Sequence, residues 1–315
     1  MTVYRNKQID TAKGILMSLV ILGHVLLASS NLTRAGSFLL KLIYSFHMPA
    51  FLIISGILFD REKQKSNDFQ TFLFTRAKHI LIPYFIFEIL GGIVQNVFAY
   101  GSRETAFTVL TRIVTFQMYV GADWYLLTYF LAIILVYLAN KYIQNDQYLL
   151  ISAVLLFATV SVFQGQLLNK LSVFILRILL AYSLIVSGIF LKESILSFSL
   201  KKILLAGACF ILSVGLNTNV FMHAVMLGNP LLFLLAGIGG TYLVLQLAAV
   251  IKNKLINMFG RYSIVPMGIH QDMIWIFGWF FGLNGASTLI ILNAAVTYLL
   301  CISATILYRT IFGKE

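Results

Sequence analysis

The chain has 315 residues, of which 60% are hydrophobic and only 11% charged, and its mean hydropathy is +0.91. Soluble domains carry about 25% charged residues, so the composition excludes one and indicates an integral membrane protein built from helices. The net charge of +12 would point to nucleic acid in a soluble protein; here it fits lysine and arginine gathered in cytoplasmic loops, and no nucleic-acid partner is expected.

Apolar stretches fall at approximately 11–30, 38–59, 79–100, 122–142, 147–163, 171–191, 202–220, 230–250, 262–281 and 285–308. Each is about the length that spans a bilayer as a helix. The fold class is therefore an all-α integral membrane protein with about ten transmembrane helices, read as a single domain over 1–315 with no soluble domain. Sustained period-2 alternation, the mark of a membrane barrel, is absent from the sequence. Arg5, Lys7 and Lys13 before the first apolar run resemble a signal-peptide flank, but that run is long and carries His24, so it is read as a retained span.

With the N-terminus inside, seventeen of the 23 basic residues fall in inner segments and five in outer ones, with Arg177 inside the sixth span. That bias gives an N-in, C-in topology. In the outer segment 104–117, Ala106, Val109, Leu110, Ile113 and Val114 recur at helical spacing. This predicts either an interfacial helix that roofs a site or a plain connector.

Five histidines occur, and two of them, His24 and His47, lie deep in the first two spans. By helical rise they sit roughly 9 Å and 13 Å from the outer ends. Ionisable side chains at such depth are costly and usually functional. The two spans run antiparallel, so a general base and its orienting partner can meet in the outer half of the membrane. Packing glue between helices is the alternative.

At the inner side, Asp10 and Lys13 lie one turn apart, and Arg76, Lys78 and His79 lead into the third span. Together they suit the phosphates of a nucleotide-bearing thioester, although ordinary positive-inside flanking accounts for any one of them. Asp123, Trp124 and Tyr125 open the fourth span, an aromatic with a carboxylate beside it, as sugar sites use, although an aromatic at that depth is more often an interface-belt residue. Glu88 and Arg177 are intramembrane charges that either pair as a strut or line a cavity. His270 lies roughly 12 Å from the inner face, within reach of a central cavity. Gly56 and Gly188 are read as sites of close helix packing. His223, in a short outer loop, carries no functional weight. Cys209 and Cys301 lie in apolar runs and imply no disulfide. No metal motif, glycine-rich phosphate loop or nucleophile elbow is present in the sequence.

The runs IDTAKGILMSLVILGH, SFHMPAFLIISGILF, TRAKHILIPYFIF, DWYLLTYF and GRYSIVPMGIHQDMI resemble the acyltransferase-3 family of membrane O-acyltransferases. Within it they are most similar to the fucose-4-O-acetylase-like branch. The resemblance implies O-acetylation of a cell-surface or exported glycan with cytosolic acetyl-CoA as donor. It matches His24 to the family's essential histidine, His47 to a histidine of that branch and Arg76 to the arginine before the third span. Lys13 stands where many members have arginine, which keeps the charge and loses the fork. The expected site is thus His24 and His47 for catalysis and Lys13, Arg76 and Lys78 for the donor. Asp123, Trp124, Tyr125 and His270 are expected at the acceptor, with Asp10, Glu88 and Arg177 in support and no metal.

Expected partners are acetyl-CoA, a glycan or lipid-linked sugar acceptor and membrane lipids, in a bacterial cytoplasmic membrane; a homo-oligomer is left open. The alternative function is a transporter or flippase for a lipid-linked sugar or small solute, which Glu88, Arg177 and Asp272 would suit. It needs no acyl donor, and no inverted repeat is visible in the sequence.

Overall fold

The computed structural model describes residues 6–29, 31–98, 105, 107–108, 111, 123–166, 169–282 and 287–312. Apart from Thr105, Phe107, Thr108 and Thr111, the segment expected to form an interfacial helix lies outside them. The regular elements are helices, with one isolated β-bridge between Phe221 and Met226. They are α1 (Lys7–Ala28), α2 (Arg34–Tyr44), α3 (His47–Ile57), α4 (Arg61–Ser66), α5 (Phe69–Arg76), α6 (Ile82–Val97), α7 (Trp124–Tyr142), α8 (Asp146–Phe163) and α9 (Lys170–Leu196). Then come α10 (Leu200–Leu216), α11 (Pro230–Val250), α12 (Lys254–Arg261), α13 (Ile264–Phe281) and α14 (Ser287–Phe312).

Helices occupy all ten apolar segments, and eight are long and apolar enough to cross a membrane among the described residues. The chain is an all-α integral membrane protein. α10 and α13 fall outside those eight.

Asparagine starts many of these helices. Asn6, Asn145, Asn169, Asn229 and Asn253 each accept a backbone N–H of the first turn through the side chain. Such caps satisfy donors that have no partner inside the helix and contribute roughly 1 kcal/mol apiece.

Two prolines shape the segments that carry histidine. The second apolar segment reads as one span, yet its helix breaks at Ser45–Phe46 before resuming as α3. Pro49 has no N–H to offer the Ser45 carbonyl, and its ring crowds that group. His47 thereby becomes the first residue of α3. Ahead of the third span, Ala77–Leu81 forms a π-helical turn between α5 and α6. Pro83, near the start of α6, cannot donate to the His79 carbonyl, so the chain widens there.

The chain divides into two compact units. The first comprises Met1–Leu40, Lys78–Leu127 and Asn253–Glu315, and the second Lys41–Ala77 and Thr128–Lys252. In the first, α12 packs along the start of α1, α13 packs on α14, and α1 and α6 both touch α13. A side chain at Gly14 would meet the Ile256 carbonyl, and one at Gly260 the Asp10 carbonyl. The backbones of α1 and α12 therefore nearly touch.

In the second unit the same device joins α3 to α9. A Cβ at Gly56 would collide with the Ile185 carbonyl, and one at Gly188 with the Ile53 carbonyl. Small residues let helices approach without a hydrophobic drive between them, as the sequence indicates for these two glycines. A polar knot closes one end of this unit. Arg61 donates to Asn140 Oδ1 at 2.8 Å and to Asp146 at 2.5 Å, and Tyr137 donates its hydroxyl to the Asn67 carbonyl at 2.8 Å.

Candidate active site

The first unit gathers most of the residues that the sequence singles out. His24, on α1, is half-buried, and its ring meets that of His270 edge-on, with centroids 5.0 Å apart and planes at 82°. His270 is fully buried on α13. Its Nδ1 lies 2.8 Å from the Pro266 carbonyl and 2.9 Å from that of Met267. Carbonyl oxygens only accept, so Nδ1 carries the hydrogen and Nε2 keeps its lone pair. Nε2 is buried and has no hydrogen-bond partner. The ring is therefore anchored on one side and chemically open on the other.

His47 is held in the same way within the second unit. Its Nδ1 donates to the Ile43 carbonyl at 2.7 Å, and its ring rests on Tyr44 with centroids 5.0 Å apart. The two histidines that the sequence pairs thus fall in different units, and the partner placed against His24 within the first unit is His270.

A second cluster forms where α6 meets α13. Phe87 lies on Gly268, where any Cβ would strike its ring. Asp272, one turn beyond Gly268, lies on the same face of α13, and Glu88, next to Phe87 on α6, is within its electrostatic reach. Asp123, immediately before α7, lies within electrostatic reach of both, and Tyr84, one turn before Glu88, within reach of Glu88 and Asp123. Glu88, Asp123 and Tyr84 are wholly buried, and Asp272 is 2% exposed. Asp123 stands where a helix cap would, yet neither of its oxygens accepts a hydrogen bond, and Oδ1 of Asp272 also lacks one. Each such buried polar atom costs roughly 1–3 kcal/mol. Among the described residues no group of three or more His, Cys, Asp or Glu side chains is placed to hold a metal ion. Trp124 and Tyr125 follow, both buried, their rings 6.1 Å apart and perpendicular.

At the other end of α1, Asp10 is buried and Lys13 half-buried. Lys78 is exposed on the π-helical turn. Arg76 and Arg177 belong to the second unit, where their guanidinium groups lie over Phe72 at 5.2 Å and Phe174 at 5.7 Å. Glu88 and Arg177, read together as intramembrane charges, are thus assigned to separate units. Sequence reasoning left Asp272 and Tyr84 out of the site. Their signals were present: Asp272 follows His270 by two positions, and Tyr84 lies one turn from Glu88.

One compact unit of this helical membrane protein thus holds a histidine pair and a cluster of buried carboxyls in its interior. The chain belongs to the acyltransferase-3 family, described as an acyltransferase domain, which matches residues 6–309. No curated protein and no solved structure matches it. The protein is an acyltransferase of the membrane.

Proposed function

We propose that this acyltransferase moves an acetyl group from cytosolic acetyl-CoA to a hydroxyl of a cell-surface or exported glycan, in a bacterial cytoplasmic membrane. The contact of His24 with the buried, anchored His270, inside a domain of acyltransferase type, carries this reading. His24 removes the proton of the attacking hydroxyl as its oxygen bonds to the thioester carbonyl carbon. The tetrahedral adduct then collapses, the carbon–sulfur bond breaks, and the departing thiolate takes up the proton. His270 holds the His24 ring and its charge as that proton arrives.

Lys13 and Lys78 are assigned to the donor's phosphates, with Arg76 assigned to the same task on its match to the family pattern. Lysine serves here as a point charge, without the two-pronged fit of arginine. Asp123, Trp124 and Tyr125 are assigned to the acceptor, the rings stacking on a sugar face and the carboxyl taking its hydroxyls. His47, expected in catalysis beside His24, is here assigned a supporting role.

Mass spectrometry of surface glycans from cells with and without the chain tests the reaction class. The expected result is a +42 Da species (one acetyl replacing a hydroxyl hydrogen, about 42 Da by elementary mass balance) that appears only when the chain is present. Identical glycan masses, with the protein verified in the membrane, would reject it.

A further inference from the structure

In the second unit, the loop that joins α10 to α11 carries His223, exposed on the 3-10 turn Met222–Ala224, and that turn packs against α9. Arg177, half-buried on α9, lies within electrostatic reach of His223. The Phe221 ring meets that of His223 at 6.1 Å and that of the buried Tyr44 at 5.9 Å, and Tyr44 in turn lies on His47. Side chains pin this loop. Asn217 accepts the N–H groups of Thr218 and Asn229 and donates to the Leu227 carbonyl. Gln164 accepts the Leu227 N–H and donates to the Gly228 carbonyl. Val225 is held at φ 53° and ψ 40°, a left-handed conformation that strains a β-branched residue. Backbone strain that the surroundings hold in place is a feature of ligand clamps and active sites.

Charge is segregated within the unit. Four of its five acids, Asp60, Glu62, Asp68 and Asp146, lie in or beside the polar knot that ties Arg61 to Asn140 and Asp146 and Tyr137 to Asn67. The fifth, Glu193, follows Arg177 along α9 by roughly 24 Å of helical rise. Lys170, Phe174 and Arg177 recur on one face of α9, and the Arg177 guanidinium lies over the Phe174 ring at 5.7 Å. We infer that Arg177 and His223, with Phe221 beside them, form an anion subsite that takes the oxygens of a phosphate or carboxylate. Arginine grips such a group by two parallel bonds, and the imidazole adds an N–H. Two cationic groups held close repel, and an oxyanion between them turns that repulsion into attraction. The oxyanion comes from an acidic glycan or from a lipid headgroup. The first source rests on the proposed glycan acceptor and narrows its class.

The test is equilibrium dialysis of the full chain against radiolabelled glucose 1-phosphate, methyl glucuronide and methyl glucoside. Saturating coenzyme A is present throughout, to fill the phosphate site assigned to the donor. In maltoside micelles, which carry no phosphate, the two charged sugars should bind at least about tenfold tighter than the neutral one. Arg177→Gln and His223→Ala should each remove most of that gap. His223 is exposed, so its variant keeps the comparison decisive if Arg177→Gln does not fold. Equal binding of neutral and charged sugars by the wild type would overturn the inference, and so would a gap that both variants leave unchanged. Repeating the titration in phosphatidylcholine nanodiscs separates the sources: binding that persists assigns the subsite to the acidic glycan, and binding that phospholipid displaces assigns it to headgroups. Acetyl transfer is scored separately on cell glycans. A chain that binds anions at Arg177 and His223 and never acetylates would refute only the acetyltransferase reading.

Discussion

The rings of His24 and His270 meet edge to face at 5.0 Å although most of the chain separates them in sequence. The contact joins the first helix to the last but one, and it sets a side chain of intermediate burial against one that is wholly buried. The buried ring is held by two carbonyls of its own helix. It is the fixed member of the pair, and in the proposed mechanism His24 moves the proton.

His270 should therefore act through His24. His270→Ala is expected to lower kcat by about tenfold to a hundredfold while leaving the acetyl-CoA KM within about twofold, since the change is felt in the transition state. His270→Asn, whose amide can still donate to the Pro266 carbonyl, should recover part of the loss. Steady-state kinetics on inverted vesicles would read both, and an equal loss in the two variants would argue against positioning.

The same assay separates the two candidate supporting histidines. His47→Ala removes a 2.7 Å bond to the Ile43 carbonyl and the contact with Tyr44 at the start of α3. Its expected effect on kcat is smaller than that of His270→Ala, by roughly threefold or more. A larger loss at His47 would return it to the place beside His24 that the sequence suggests.

For the donor, Lys13→Ala is expected to raise the acetyl-CoA KM by about tenfold, and Lys13→Arg to hold or lower it, because a guanidinium grips phosphate by two bonds. Lys78→Ala, at an exposed position, should cost less. These outcomes are read from initial rates across a donor titration. An unchanged KM in Lys13→Ala would remove that residue from the donor site.

Gly56 and Gly188 make a separate prediction about stability. Each stands against a carbonyl of the opposite helix, so alanine at either must push α3 and α9 apart. The expected loss is about 1–3 kcal/mol for each substitution. Because one crossing is involved, the double variant should lose less than the sum. Thermal unfolding in detergent measures this, and a Tm unchanged in Gly56→Ala would contradict the close approach.

Much of this was legible in the sequence, for reasons specific to membranes. Lipid demands long apolar helices, so the spans stand out, and small residues at helix crossings leave a trace at Gly56 and Gly188. The break before His47 and the π-helical turn at Ala77–Leu81 were not read, although Pro49 and Pro83 carry their cause. Proline tells where a helix loses a hydrogen bond, but the neighbours decide how the chain absorbs it. The contact between His24 and His270 could not be found from the sequence. Helix hydrophobicity fixes neither rotation nor neighbour, so it brings His24 equally well to His47 or to His270. Packing of α1 on α13 made the choice within the first unit. Asp272 stood out as an intramembrane charge, but its facing is read only from the seating of Phe87 on Gly268, one turn before it.

The most direct measurement is acetyl transfer from radiolabelled acetyl-CoA to membrane glycan, comparing the wild-type chain with His24→Ala at matched levels in the membrane. A general base in the transition state predicts a fall of about a hundredfold or more in the variant, with the protein still inserted and still binding donor. Transfer by His24→Ala within a few-fold of the wild-type rate would contradict the account at its centre.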